Sequence, residues 1–421
     1  MANALDHGYT NRSAIETTYV VRLLVFAFIV VCIFDPADQV FGVKIWLFVA
    51  IWVAALIAAF SAPDKMWLPT GLLLCVLLFT TVPLISIVWY YLTSGTEPYA
   101  GFALMKGFLL VSVAIVLVMN RVDVLPFFSA ALTVLASMTI AIFVSLRLAP
   151  ELFPILKNIG SETGLVLLSE RSYGDDLFFT FINVVTSPLL AISIAYYFDR
   201  AMSGTAIRSK LIDATLAAIS IIAMLLVGSR NEAAVALLMP FFLWPLYTRR
   251  IARNECISIG LLAVLSISFI EKLRVLLNPA ELSNNIKLTL LGDYGDIFSN
   301  PWTLLFGQGL GAYYQWTTSG RPDFEQTGEN FYFNTELTYA ELIRYSGLLG
   351  AGIIMALLLY PAAHGILATD TRRRALALGF LAYLCMSATN PMLFSSTGML
   401  CFSVLLADTF GSSERGPHWM G

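Results

Sequence analysis

Phe331-Tyr332-Phe333-Asn334-Thr335-Glu336-Leu337-Thr338-Tyr339-Ala340-Glu341 is where the most polar stretch of this chain runs into an apolar helix. That stretch, residues 272–335, interrupts a sequence that is otherwise apolar from end to end. Connections beyond about 15 residues are uncommon in packed proteins and are usually functional or disordered. This one carries Trp302, Tyr313, Tyr314, Trp316, Phe331 and Tyr332 among its charges, so it has the anchors needed to fold. The chemistry is expected at its junction with the helix.

The rest of the chain sets the fold class. Of 421 residues, 58% are hydrophobic and 13% charged, against about 25% charged in a soluble domain. A soluble core cannot absorb this much apolar surface, so the chain reads as an integral membrane protein. A helix needs about 20 apolar residues to cross the hydrocarbon core, and only helices or closed barrels satisfy their backbone there. The apolar runs do not alternate, which excludes a barrel. About twelve segments qualify as spans: Tyr19–Phe34, Val43–Phe60, Leu68–Leu92, Phe102–Met119, Leu125–Leu146, Leu177–Phe198, Leu211–Val227, Ala233–Tyr247, Cys256–Ile270, Leu337–Tyr360, Ala375–Ala388 and Thr397–Phe410. The expected fold is an all-α polytopic membrane protein forming a single domain over residues 1–421. The large loop at 272–335 and a second loop at 150–176 face the same side.

Basic residues orient it. Lys65, Arg121, Arg200, Arg208, Lys210, Arg249, Arg250, Arg253, Arg372, Arg373 and Arg374 fall on one set of loops near helix ends, where positive charge marks the cytoplasmic side. Both termini are then cytoplasmic, and residues 35–42, 93–101, 150–176, 228–232 and the long loop are external. The first 18 residues lack a basic start and a small-residue cleavage site, so no cleaved signal peptide is expected. The five cysteines lie in or beside apolar segments and suggest neither disulfides nor a zinc site.

Ionisable groups at helix mouths are costly and often functional. Arg230 stands where a span meets the external face. It is an anion site, since guanidinium binds phosphate oxygens bidentately, or a snorkelling interfacial residue, or the partner of Glu232. Arg171 is surrounded by Glu170, Asp175 and Asp176, which offer it simple pairing. Lys272 and Arg274 break the positive-inside tendency. Glu336, Ala340 and Arg344 share a helix face, and Glu341 and Arg344 are i, i+3 neighbours able to neutralise each other. Glu336 has no such local partner, and desolvation at an apolar mouth raises a carboxyl's proton affinity, as a general base requires. The three histidines, His7, His364 and His418, all fall on the cytoplasmic side, so an external base has to be a carboxylate unless Lys or Tyr is unusually tuned. Gly307-Gln308-Gly309-Leu310-Gly311 lacks the strand–turn–helix setting of a dinucleotide fingerprint and reads as a tight turn close to other backbone.

These motifs together resemble the bacterial O-antigen polymerase and ligase superfamily. Gly228-Ser229-Arg230 before an apolar span resembles its Ser-Arg helix start. Leu305-Phe306-Gly307-Gln308-Gly309-Leu310-Gly311 resembles its loop glycine motif. The run from Glu336 to Gly350 resembles the loop-to-helix segment that closes the site. Ligases typically carry a His-Asn pair where this chain has Glu336-Leu337, so the resemblance leans to the polymerase branch. It implies a GT-C-like membrane glycosyltransferase whose donor is an oligosaccharide on undecaprenyl diphosphate. Arg230 would contact the diphosphate, with help from Lys287 or Arg274, and Glu336 would take the acceptor proton. Arg171, Arg321, Glu329, Tyr332, Asn334, Tyr339, Glu341 and Arg344 are further candidates for holding substrate. Neither metal nor other cofactor is expected, nor a nucleic-acid partner; membrane lipid and a chain-length regulator protein are. The alternatives are a ligase passing finished glycan to lipid A core, and a flippase or transporter, which would set its substrate site at the midplane among broken helices.

Overall fold

The computed structural model describes residues 19–40, 42–61, 68–95, 99–173, 177–227, 229–247, 282–312, 314–315, 331–332 and 337–411. In chain order these form α1 (Tyr19–Phe34), α2 (Lys44–Ser61), α3 (Thr70–Ser94), α4 (Tyr99–Met119), α5 (Leu125–Leu148) and α6 (Phe153–Thr163). A hairpin follows, β1 (Val166–Tyr173) and β2 (Leu177–Val184), and then α7 (Leu190–Ser203), α8 (Ile207–Leu226) and α9 (Arg230–Leu243). The loop region contributes α10 (Leu282–Phe298), α11 (Pro301–Phe306) and the short pair β3 (Tyr314–Gln315) and β4 (Phe331–Tyr332). The chain closes with α12 (Thr338–Leu367), α13 (Thr371–Ser387) and α14 (Ser396–Gly411).

Six of these, α2, α3, α4, α5, α8 and α12, are long and apolar enough to cross a membrane. α2 and α3 differ from the shorter α7 and α14 in where their apolar surface goes. α2 exposes Ile45, Trp46, Val49, Val53, Leu56, Ile57 and Phe60, and α3 exposes Leu73, Leu74, Leu77, Ile85 and Val88. On a soluble protein such faces would be unstable patches; in a bilayer they are the lipid surface. By contrast α7 is buried from Leu190 to Tyr197 without a break, and α14 from Thr397 to Leu406. A helix buried on all sides belongs to the interior of a bundle. α7 packs against α8 and α13, α13 packs against α12, α7 and α9, and α14 lies along α4. The inner helices meet protein rather than lipid, so neither their length nor their hydropathy has to match a bilayer.

One expected span is corrected. Leu177–Phe198 is not a single helix: β2 pairs antiparallel with β1 from Val166 opposite Val184 to Tyr173 opposite Leu177, and α7 begins only at Leu190. The sequence Leu177-Phe-Phe-Thr-Phe-Ile-Asn-Val-Val-Thr186 is rich in aromatic and β-branched residues, which favour a strand, and Pro188 blocks helix propagation from the N-terminal side. The all-α expectation is amended by this hairpin and by the two-residue β3–β4 pair. The expected loop at 150–176 contains α6 and β1. The expected span Cys256–Ile270 lies outside the described residues.

Loops segregate to two ends. At one end Gly164 packs against Ala37, the Thr186 hydroxyl donates to Ile33 O at 3.3 Å, and Lys44 Nζ reaches Pro36 O at 2.6 Å and Ser396 Oγ at 3.2 Å. Gly311 abuts Gly101 at the same end. At the other, Arg200 bonds Asp213 at 3.3 Å, Tyr247 donates to Asp199 at 2.8 Å, and the Arg372 guanidinium sits 5.9 Å from the Tyr196 ring.

Candidate functional site

The first of these ends holds the junction between the loop and α12. Gly347, at φ 64° and ψ 178°, breaks α12 one-third of the way along. A break there denies the preceding carbonyls their usual i+4 amides, and buried carbonyls need partners. The glycine motif supplies them: Gln308 N–H donates to Arg344 O at 2.6 Å and Gly309 N–H to Tyr345 O at 3.1 Å. The Ser86 hydroxyl of α3 adds a bond to Tyr345 O at 2.5 Å and accepts from Leu310 N–H at 2.8 Å. Trp89 Nε1 donates to Gly307 O at 3.2 Å. Gly307, Gly309 and Gly311 all have φ between 78° and 101°. A Cβ on Gly307 would lie 2.6 Å from Tyr345 O, and one on Gly309 would lie 2.8 Å from Ser86 O. The motif is therefore a backbone clasp across α3, α4 and α12, in keeping with the tight turn expected.

Beside the clasp lies a buried charge pair. Arg344 is 0% exposed and Glu341 is 2% exposed. Arg344 Nε and Nη2 meet Glu341 Oε2 at 3.0 and 2.8 Å, and Nη1 donates to Ala312 O at 2.9 Å. Its guanidinium also lies 4.6 Å from the Tyr345 ring centre. The Tyr294 hydroxyl of α10 donates to Glu341 Oε1 at 2.5 Å. With Leu290 and Leu337 packed beside Tyr294, this joins α10 to the start of α12. The mutual neutralisation of Glu341 and Arg344 read from their spacing is what the structure contains, and it extends to the glycine motif and α10.

A second meeting point involves α9. Asn231 Nδ2 donates to Thr389 Oγ1 at 2.6 Å, and the Thr338 hydroxyl donates to Asn390 O at 2.9 Å. The Tyr339 hydroxyl donates to Leu384 O at 2.6 Å. The turn at 389–390 thus holds both the residue after Arg230 and the residue two beyond Glu336. Glu232, in the first turn of α9, is 1% exposed, and its Oε2 meets no hydrogen-bond partner among the described residues.

Of the sequence candidates, Tyr339, Glu341 and Arg344 are described in full and make the contacts above. Arg230 opens α9, Arg171 lies in β1 opposite Phe179, Lys287 lies in α10 and Tyr332 in β4 opposite Tyr314. The side chains of these four, and Arg274, Arg321, Glu329, Asn334 and Glu336 altogether, lie outside the described residues. Sequence reasoning passed over Ser86 and Tyr294, which carry no signal as isolated polar residues. It also treated Glu232 only as a partner for Arg230, although Ser229-Arg230-Asn231-Glu232 has the spacing of a capping box. Compared with known protein families and with curated proteins, the chain matches none.

Proposed function

We propose that this chain is a membrane glycosyltransferase that polymerises oligosaccharide repeats carried on undecaprenyl diphosphate, acting on the periplasmic face of the bacterial inner membrane with both termini in the cytoplasm. The observation that carries the reading is the shared turn at 389–390: Asn231 and Thr338 both bond to it, at 2.6 and 2.9 Å. The motif arginine and the loop-to-helix junction therefore start from one place in the fold, as a two-substrate site requires. The donor is the growing glycan on its lipid diphosphate, and the acceptor is a hydroxyl of the next lipid-linked repeat. The bond between the anomeric carbon and the diphosphate oxygen breaks as the bond to the acceptor oxygen forms. The diphosphate leaves with the electron pair, stabilised by Arg230 with Lys287 or Arg274, and the acceptor proton passes to Glu336.

In this reading Glu341, Arg344 and the glycine clasp form the frame that fixes the start of α12, which follows Glu336 in sequence. Loop aromatics, Arg321, Glu329 and Asn334 contact sugar, and a chain-length regulator acts on the assembled enzyme. Glu336→Gln tests the mechanism. Chain growth from lipid-linked repeats stops while the protein accumulates normally, and polymer ladders of wild-type length from this variant would remove Glu336 as the base. Loss of the polymerase leaves a single repeat on the lipid A core, whereas a ligase defect leaves none, so the same strain separates the two enzymes.

A further inference from the structure

The buried carboxyl of Glu232 has no role in the mechanism just given. It sits in the first turn of α9, whose N-cap residue Ser229 makes no capping bond with its side chain. The first N–H groups of that turn thus lack the side-chain acceptor that normally satisfies them. A helix start of this kind favours an anion. The Ser187 and Ser229 hydroxyls lie beside the Glu232 carboxyl, while its Oε2 is buried and meets no partner among the described residues. Asn231, next in sequence, is exposed and marks the solvent edge of the same turn. The elements packed against α9 are α7, α8 and α13. Among the described residues none of them sets a charged group against Glu232, whose polar neighbours are the two serines. Arg230 is the other charged group of the turn, and its side chain is outside the described residues.

An ionised carboxylate with an unpartnered oxygen is the costly form in such a setting. Carrying a proton on Oε2 removes the charge and creates an O–H donor that still needs an acceptor. We infer that Glu232 is a further substrate-binding residue, whose neutral carboxyl donates a hydrogen bond to a diphosphate oxygen held at the N-terminus of α9. This rests on the lipid-diphosphate reading of the site. Glu232 would complement Arg230 by supplying a donor without a second cation, and it would become repulsive to the anion once ionised.

The test is binding of undecaprenyl diphosphate, and separately of inorganic pyrophosphate, to the purified full chain from about pH 6 to about pH 9, a range that spans a raised carboxyl titration. The diphosphate's own titration is common to every variant, so the difference between variants is the readout. Wild type weakens at the alkaline end by about tenfold more than Glu232→Gln, whose amide keeps a donor that cannot ionise. Glu232→Ala binds about tenfold more weakly than Glu232→Gln at the acidic end. If Glu232→Gln loses affinity with pH as wild type does, or if Glu232→Ala binds as wild type does, Glu232 is a structural residue and the inference fails. If wild type binds neither probe at any pH, the lipid-diphosphate reading fails and takes the role of Glu232 with it. Binding of both probes with equal affinity assigns the site to the diphosphate alone; binding of the lipid only adds the polyprenyl chain to what is recognised, and both support the inference.

Discussion

Removing the charge of Glu341 while keeping its shape, as in Glu341→Gln, isolates the buried pair that frames the site. Arg344 is fully buried, and two of its nitrogens meet Glu341 Oε2 at 3.0 and 2.8 Å. Among the described residues its other acceptors are the Ala312 carbonyl at 2.9 Å and the Gln308 side-chain oxygen at 3.4 Å. Neither carries a charge to offset the guanidinium. Breaking one partner of a buried pair costs about 3–5 kcal/mol because the other charge is left uncompensated. The informative comparison is the double replacement Glu341→Leu with Arg344→Met. It removes both charges, but also the Tyr294 hydroxyl's bond to Glu341 and the Ala312 carbonyl's bond from Arg344, at about 1–3 kcal/mol each. Adding Tyr294→Phe removes one of those two polar groups and should recover about 1 kcal/mol or more. The triple replacement is therefore expected to be no less stable than Glu341→Gln alone. Equilibrium unfolding of the purified chain in mixed micelles titrated with sodium dodecyl sulfate, followed by circular dichroism, measures all three. A Glu341→Gln protein within about 1 kcal/mol of wild type would refute the argument, since the pair would then be solvated or compensated elsewhere.

Two further perturbations test the clasp. Gly347→Ala forces a side chain into a left-handed conformation at φ 64° with Leu305 and Phe306 backbone against it. A loss of about 2 kcal/mol or more is expected in the same unfolding assay, and wild-type stability would mean that the break in α12 is not rigid. Ser86→Ala leaves Leu310 N–H with only the Ser86 carbonyl at 3.3 Å and removes a 2.5 Å bond from Tyr345 O. It should cost about 1–3 kcal/mol and increase hydrogen exchange at residues 307–312 ahead of the rest of the chain; uniform exchange across the chain would count against a local clasp.

Membrane character was legible because lipid-facing helices must be long and apolar, and α2 to α5 fall close to the expected limits. The inner layer was less legible for the opposite reason. α7 is buried from Leu190 to Tyr197 but ends on Asp199 and a half-exposed Arg200, and α13 opens on Arg372, Arg373 and Arg374. α13 nonetheless lies close to the expected Ala375–Ala388, whereas α7 covers only the latter part of the expected Leu177–Phe198. The run Leu177-Phe-Phe-Thr-Phe-Ile-Asn-Val failed differently, since a short apolar run supports either a strand or a piece of a span. Only the pairing with β1 decides it.

The site divides along the same line. Local chemistry was readable: the glycines of 307–311 signalled a tight backbone, and the spacing of Glu341 and Arg344 signalled a pair. What the glycines clasp was not, because Ser86 lies 259 residues from the carbonyl it bonds, and Asn231 lies 158 residues from Thr389. Such pairings arise from the packing of α3 on α12 and of α9 on α13 rather than from any spacing in the sequence. This also explains why a carboxylate can matter without looking special. Glu232 stands at the N3 position of a capping box, where Glu is ordinary, but its side chain turns into the protein beside Ser187, at the foot of the hairpin, and keeps one oxygen unpartnered there. Its spacing from Ser229 fits a capping role. Burial removes it from that role and leaves an oxygen that, once protonated, can donate to the anion proposed at the same helix end.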